Sequence, residues 1–146
     1  MENAKLSNFM KTLLTLFVLF FSSSVLAGDD LTGKKLFCVV SATKVYNMAI
    51  NFHSNDKVNI FLSQLNSQIY TFKDLEYLAL PSSISIFNTD FTYRIDRKSL
   101  KLIEVDRNKK EESELSFCHL VEGNIMKLLR ETKNQQIIKL KEGNKI

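Results

Sequence analysis

The stretch FTYRIDRKSLKLIE, residues 91–104, decides the fold class of this chain. Apolar and polar side chains alternate strictly from Phe91 to Asp96, which is the pattern of a half-buried β-strand. The polar tetrapeptide DRKS then separates Ile95 from Leu100, and a connection of this length suits a hairpin loop built around a type I turn. A phosphate site at the charged DRK is the less favoured alternative, since hairpin tips are ordinarily polar. The stretch therefore predicts two antiparallel strands.

A similar pattern continues over residues 34–120, where short apolar segments rich in β-branched and aromatic residues lie between polar breaks. In chain order these segments are KLFCVV, VYNMAINF, VNIFL, IYTF, SISIF, FTYRID, LKLIEV and LSFCHL. Regular short strands separated by turns are typical of an antiparallel meander, barrel or sandwich. The segment FKDLEYLAL, residues 72–80, fits either a short helix or an irregular strand that ends before Pro81, because the residue before proline avoids helical geometry.

We therefore predict a mainly β fold for residues 28–122, an antiparallel meander or small barrel of about eight short strands, followed by a C-terminal α-helix. Strands this short favour a barrel interior that is filled by its own side chains.

Residues 123–146 differ from the β-domain in charge and in pattern. They hold six basic and two acidic residues, so the basic character of the chain, whose net charge is +4, belongs to this end. Asn124 is placed to cap a helix that Gly143 could end. The apolar stripe is made by Ile125, Met126, Leu129, Ile137 and Leu140. The favoured interpretation is a helix packed on the outside of the sheet or across one barrel end. The alternatives are a frayed tail and a basic helix that contacts an anionic membrane surface or a partner.

The first 27 residues have the features of a secretory signal peptide. A short basic region precedes an apolar run over residues 13–21, and the small residues SSS and VLA follow. This pattern predicts cleavage after Ala27 and a secreted or periplasmic protein. An uncleaved N-terminal anchor is the alternative, although a span needs roughly 20 apolar residues. Gly28 rather than cysteine follows the cleavage site, which argues against a lipoprotein.

Cys38 and Cys118 are the two cysteines of the chain, and they lie in the first and last predicted strands. A signal peptide would deliver them to an oxidising compartment. In a closed barrel the first and last strands are neighbours, which allows the Cα separation that a disulfide needs. We predict a Cys38–Cys118 disulfide. The alternative is a pair of buried reduced thiols.

The sequence shows no pattern of catalytic, cofactor-binding or metal-binding residues. Its two histidines, His53 and His119, stand apart, and no glycine-rich phosphate loop or close cysteine pair is present. Cys118 and His119 adjoin, but neighbours on a strand point to opposite faces, so we expect His119 to be an ordinary strand residue and His53 to be solvated. Two carboxylate pairs could share a cleft for glycoside chemistry, although such pairs arise by chance: Asp74 with Glu76, and Asp90 with Asp96. We expect neither an enzyme nor a cofactor.

Two stretches carry a resemblance to known proteins. With GKKLFC at residues 33–38 and YRIDRKSLKLIE at residues 93–104, the chain resembles small secreted bacterial proteins of unknown function. These proteins open with a G-K-K-L-x-C-like strand and carry a Y-x-I-x-R-K-[ST]-L-x-L hairpin. A looser similarity is to the periplasmic inhibitors of C-type lysozyme, which are eight-stranded barrels that insert a Ser-Gly-x-x-Tyr loop into the enzyme. The matching segment LPSSISIFNTDFTY, residues 80–93, has no glycine, so no site residue is carried over.

These features leave several functions open. The favoured hypothesis is a non-catalytic β-module of the bacterial envelope that binds a protein partner or an apolar ligand. The alternatives are an inhibitor of a hydrolase such as lysozyme, a purely structural envelope protein, and an enzyme with an unrecognised site. No nucleic-acid partner is expected, because residues 28–122 are close to neutral.

Overall fold

The computed structural model describes residues 30–40, 46–65 and 68–143. The predicted signal peptide lies outside these described residues. Eight strands and one helix follow in order: β1 Lys35–Val40, β2 Tyr46–Phe52, β3 Lys57–Gln64, β4 Ile69–Ala79, β5 Ser83–Phe87, β6 Phe91–Asp96, β7 Lys101–Asp106, β8 Glu112–Leu120 and α1 Ile125–Gly143. The predicted mainly β class with a C-terminal helix is confirmed.

The strands form a closed antiparallel barrel in which each strand pairs with the next in the chain and β8 returns to β1. Of the three arrangements that the sequence left open, the barrel is the one that forms. The ambiguous segment 72–80 belongs to strand β4, so the irregular strand was the correct alternative.

Inward-facing side chains fill the barrel. The fully buried ones, at 0% exposure, are Leu36, Cys38, Met48, Ile50, Phe52, Val58, Ile60, Ile84, Ile86, Ile95 and Leu102. They alternate with outward-facing residues along each strand, because successive side chains of a strand point to opposite faces. Burying one such Ile or Leu completely stabilises the fold by about 1.5–3 kcal/mol. The barrel interior is therefore the main source of stability.

The hairpin predicted around residues 91–104 forms between β6 and β7. The Asp96 carboxylate accepts hydrogen bonds from the backbone N–H groups of Lys98 at 3.0 Å and Ser99 at 2.6 Å. These bonds lower the pKa of Asp96, the Ser99 N–H most strongly. Leu100 completes the loop in the left-handed region with φ of 56°. The polar tip is thus held by hydrogen bonds within the loop itself.

The next hairpin repeats this loop chemistry. Asp106 accepts from the N–H groups of Asn108 at 2.9 Å and Lys109 at 3.0 Å, and Lys110 adopts φ of 56°. The loops DRKSL and DRNKK thus place Asp, Arg and a left-handed residue at equal spacing. Two hairpin tips are thus built on one local sequence pattern.

The arginine of each loop fastens its hairpin to the neighbouring one. Arg97 donates from its backbone to the carbonyl of Ser82 at 3.0 Å and from Nη1 to the carbonyl of Leu80 at 2.8 Å. Arg107 repeats both bonds on the carbonyls of Asp90 and Asn88, each at 3.0 Å. Arg97 is only 4% exposed, although its place in a polar hairpin tip suggested a solvated charge.

Strands β1 and β8 close the barrel through three residue pairs: Leu36 with Leu120, Phe37 with His119, and Cys38 with Cys118. The two cysteines lie directly opposite each other, with Cα atoms 4.1 Å apart, and form the predicted disulfide. This distance is close to the ~4.5 Å of a non-hydrogen-bonded antiparallel pair. The bond is consistent with an oxidising extracellular or periplasmic location. No helix within the described ranges is long and apolar enough to span a membrane.

Helix α1 lies on the outside of the barrel, which is one of the two placements expected from its sequence. The Asn124 side chain caps it, accepting from the N–H groups of Met126 at 3.1 Å and Lys127 at 3.0 Å. Ile125 and Leu129 are buried against an outward-facing cluster on β1 and β2 that includes Phe37 and Ala49. The helix thus forms a second, smaller core outside the barrel.

Glu104 is an acidic residue on the inner face of β7. It lies two residues after the buried Leu102 and opposite Tyr93 on β6. Burial raises the pKa of Glu104 above its ordinary value of 4.5; a hydrogen bond with Tyr93 opposes this rise, and the charge of Asp106 adds to it. The ionised carboxylate is therefore less stable here than in water.

Removing the disulfide should destabilise the barrel without changing its side-chain packing greatly. For the variant Cys38→Ser/Cys118→Ser, the free energy of unfolding should fall by about 4.5 kcal/mol, since the bond closes a loop spanning 80 positions. Urea unfolding measures the loss, and thiol labelling of the denatured wild-type protein should find no free thiol. Two reactive thiols per chain would show that the bond is absent.

Replacing Glu104 by glutamine should stabilise the protein at neutral pH and leave it unchanged in acid. Because the pKa of Glu104 is higher in the folded than in the unfolded state, its ionisation costs stability as pH rises through these two values. Below both values the carboxyl is protonated in either state and resembles the amide. Urea unfolding of both proteins at about pH 3.5 and about pH 7.5 tests this. An equal difference at both pH values would contradict the assignment.

Candidate functional site

The adjacent Cys118 and His119 do not form a thiol and base pair. The Cys118 side chain faces the interior and is bonded to Cys38. His119 is exposed on the outer face, where its ring meets Phe37 edge-on with centroids 5.7 Å apart. The prediction that these neighbours point to opposite faces is confirmed, and the thiol is not available as a nucleophile.

His53 and Asp74 form a side-chain contact that the sequence did not predict. His53 Nε2 lies 3.1 Å from Asp74 Oδ1, with the two side chains 33% and 70% exposed. The residues belong to segments 21 positions apart, His53 just after β2 and Asp74 within β4. Besides the two cysteines, these are candidate residues of the sequence that the fold brings into contact.

A β-bulge in β4 holds Asp74 in place. Val58 pairs with Leu75 and Ile60 with Phe72, so two residues of β4 lie opposite Asn59. Asp74 takes a left-handed backbone with φ of 54°, and its N–H donates to Asn59 Oδ1 at 2.9 Å. Aspartate tolerates this region better than most residues. The extra residue lets Phe72 and Leu75 both pack against the core although they are three positions apart.

A cleft of about 330 Å³ lies between this bulge and the loop that joins β5 to β6. Lys57 and Glu76 form an ion pair across its wall at 3.2 Å, and Arg107 and Phe87 line it as well. Asp74 and Glu76, the carboxylate pair that could serve glycoside chemistry, thus contact different partners, His53 and Lys57. The other pair, Asp90 and Asp96, flanks β6 at opposite ends and shares no cleft.

The chemistry of this cleft suits recognition more than proton transfer. The carboxylates of Asp74 and Glu76 are 70% and 75% exposed, and water screens such pairs strongly. Within residues 30–40, 46–65 and 68–143, no group of three or more His, Cys, Asp or Glu side chains could hold a metal ion. The cleft therefore presents charges of both signs on a solvated rim.

An apolar patch adjoins the cleft on the outer face of β4 and β5. It consists of Leu78, Leu80 and Phe87, which are 51%, 43% and 38% exposed. Leu78 pairs with Ser85 and Glu76 pairs with Phe87, so Leu78 and Phe87 are diagonal neighbours on one face. We call these three residues the β4–β5 patch. Phe87 belongs to both patch and cleft, which makes the two features one continuous surface.

A shallow groove of about 290 Å³ extends this surface onto β6 and β7, where Ser83, Arg94 and Ile103 line it. Arg94 forms an ion pair with Glu112 at 2.8 Å across β7. Apolar side chains are thus bordered by hydroxyl and charged groups, which is the composition of a protein interface with its polar rim.

The sequence contains a pattern that indicates this apolar patch. In FKDLEYLAL, Leu78 and Leu80 alternate with Tyr77 and Ala79, so both faces of the segment are apolar. A strand with one solvated face ordinarily alternates apolar and polar residues. An apolar outer face therefore indicates a covered or binding surface.

No protein-family model, curated protein or solved structure matches this chain.

The left-handed backbone of Asp74 should make this position selective for residue type. Asp74→Asn keeps a side chain that tolerates the conformation, whereas Asp74→Val places a β-branched residue there. The valine variant should be less stable than the asparagine variant by roughly 1–2 kcal/mol in urea unfolding. Lys73→Val, one residue earlier on β4, is the control and should change stability little. Equal stability of the valine and asparagine variants would show that the bulge is not formed.

Proposed function

We propose that this protein is a non-catalytic binding module of the bacterial envelope that recognises a protein partner through the β4–β5 patch. The observation that carries the proposal is the position of its exposed apolar residues. Leu78, Leu80 and Phe87 lie together on one outer face and adjoin a charged cleft. Aromatic and aliphatic residues at the centre of an interface contribute most of its binding free energy when a polar rim excludes water.

A protein partner fits this surface better than a small apolar ligand does. The inward-facing side chains of the barrel are fully buried against one another, and the grooves at the patch are open and shallow. Ligand sites for small molecules are concave and enclose most of the ligand surface. A protein surface can cover a convex barrel face without entering it.

An envelope location is the second part of the proposal. The Cys38–Cys118 disulfide is consistent with an oxidising compartment, and the predicted signal peptide and the resemblance to small secreted bacterial proteins support export. A catalytic role has less support, because the ionisable groups of the cleft are exposed and paired.

Inhibition of a hydrolase such as lysozyme is a specific form of this function. Leu80 and Phe87 of the patch lie within residues 80–93, the segment that is similar to the inserting loop of the lysozyme inhibitors. Pro81 and Ser82 form a tight exposed turn there, closed by the bond from Leu80 N–H to the Ser83 carbonyl at 2.8 Å. A tight, exposed turn of this kind is a shape that an enzyme cleft could receive.

Substitution of the patch should abolish partner binding while leaving the fold intact. Envelope proteins captured on the immobilised wild-type protein are identified by mass spectrometry, and the partner is then titrated against variants. Leu78→Asp/Phe87→Asp should weaken binding at least thirty-fold, since central interface residues typically contribute 2 kcal/mol or more. Tyr70→Asp/Phe117→Asp alters two apolar residues of comparable exposure, 52% and 58%, and should change it less than two-fold.

The outcome of this titration separates the possible functions. Partner binding that survives in Leu78→Asp/Phe87→Asp would refute the proposed surface. Recovery of a lipid or small apolar molecule in place of a protein would favour a ligand carrier, and recovery of neither would favour a structural role. Inhibition of a C-type lysozyme by the wild-type protein, lost in the same variant, would identify the inhibitor form.

A further inference from the structure

Helix α1 is held to the barrel along one face only. Ile125, Leu129 and Gln136 recur at spacings of four and seven residues, which places them on a common side of the helix. Ile125 and Leu129 are 6% and 0% exposed in the outer core. Gln136 exchanges hydrogen bonds with the side chain of Asn47 on β2, at 2.8 Å and 3.2 Å. The side chains on this face of α1 are therefore in contact with the barrel.

The opposite face of α1 has a different composition. Arg130, Asn134, Ile138 and Lys141 recur at spacings of four, four and three residues, so they also share one side. Lys127 and Glu131 lie on the same side and pair with each other. We call Arg130, Asn134, Ile138 and Lys141 the basic face. All four are exposed, and Ile138 is 53% exposed although it is one of the most apolar residue types.

The positive charge of this face is not neutralised by the protein itself. The ion pair seen along α1 joins Lys127 to Glu131, at 3.8 Å. Within the part of the chain that the structure describes, Arg130 and Lys141 take part in no ion pair. The β-domain of residues 28–122 is close to neutral, so the field around α1 is set by its own cations.

We propose that the basic face of α1 binds an anionic lipid surface. Arg130 and Lys141 would pair with lipid phosphate groups, while Ile138 between them enters the headgroup boundary. A helix with cations on both sides of an apolar residue is suited to lie in the plane of such a surface.

A planar charged surface fits this face better than a second copy of the chain does. Two basic faces placed against each other would bring like charges together. The face is also a single convex ridge, whereas a helix partner would need a groove to receive it. On β4, Ile69 at the start of the strand packs with the α1 cluster, whereas Leu78 of the β4–β5 patch lies near the opposite end, so lipid contact does not depend on the proposed partner binding.

Vesicle binding at low salt tests the proposal. The purified protein is sedimented with vesicles of equal parts phosphatidylglycerol and phosphatidylcholine, and with phosphatidylcholine alone. Binding should require phosphatidylglycerol and should fall as salt is raised. Arg130→Gln/Lys141→Gln should weaken it by roughly thirty-fold, given about five-fold for each cation near an anionic surface. Ile138→Ser should weaken it roughly five-fold or more.

Matched control variants distinguish vesicle binding by the basic face from binding that depends on net charge or on the N-terminus. Lys109→Gln/Lys110→Gln removes the same net charge from an exposed hairpin loop, and Phe117→Ser removes an equally exposed apolar side chain. Both should bind vesicles within two-fold of the wild type. Because every variant keeps the same N-terminus, differences among them report on α1.

Three results would overturn the lipid assignment. The first is equal binding to vesicles with and without phosphatidylglycerol, and the second is equal weakening by the hairpin control. The third is a concentration-dependent dimer in analytical ultracentrifugation that Ile138→Ser abolishes, which would assign the face to a second copy. Loss of partner binding in the patch variant has no bearing on any of these results.

Discussion

The pairing of β1 with β8 is the constraint on which the rest of this structure depends. Three residue pairs form it within the part of the chain that the structure describes, and the disulfide joins one of them. Closure converts a meander with two free edges into a barrel whose interior is shielded on all sides. An open meander would expose the side chains that now fill the interior. The protein would then lose most of the hydrophobic stabilisation that their burial provides.

The same few residues serve two cores at once. Cys38 faces the interior, while its neighbour Phe37 faces outward and packs beneath Ile125 and Leu129 of α1. Lys35 extends this connection, since its Nζ donates to the carbonyl of Gly123 at 2.7 Å just before the helix. The helix therefore covers the outer face of the closing strand. Successive side chains of β1 point alternately into the barrel and toward α1. Because this one short strand contributes to both cores, barrel closure and helix docking stabilise each other.

The sequence predicted the parts of this fold that follow from local periodicity. Strict alternation from Phe91 to Asp96 indicated a strand, and the position of Cys38 and Cys118 in the end strands led to the disulfide. The bulge at Asp74 was not predictable, because it depends on the register with Asn59 on another strand. Nor was the contact between His53 and Asp74, which follows from that bulge. Local pattern does not contain the pairing register that creates such contacts.

The burial of Arg97 was likewise not predictable from the local sequence. It lies in a polar loop, yet it is buried, and carbonyl groups of another hairpin accept hydrogen bonds from its backbone N–H and from Nη1. The repeated Asp-Arg loops show that the molecule uses this device twice, with Arg107 in the exposed version. A charge can be buried where backbone acceptors from a second loop replace water. The barrel interior is occupied by side chains, and α1 packs on the outer face of β1, β2 and β3. Leu78, Leu80 and Phe87 lie on the outer face of β4 and β5 and belong to neither core, so folding does not explain their exposure, and this is the ground on which a partner is proposed there.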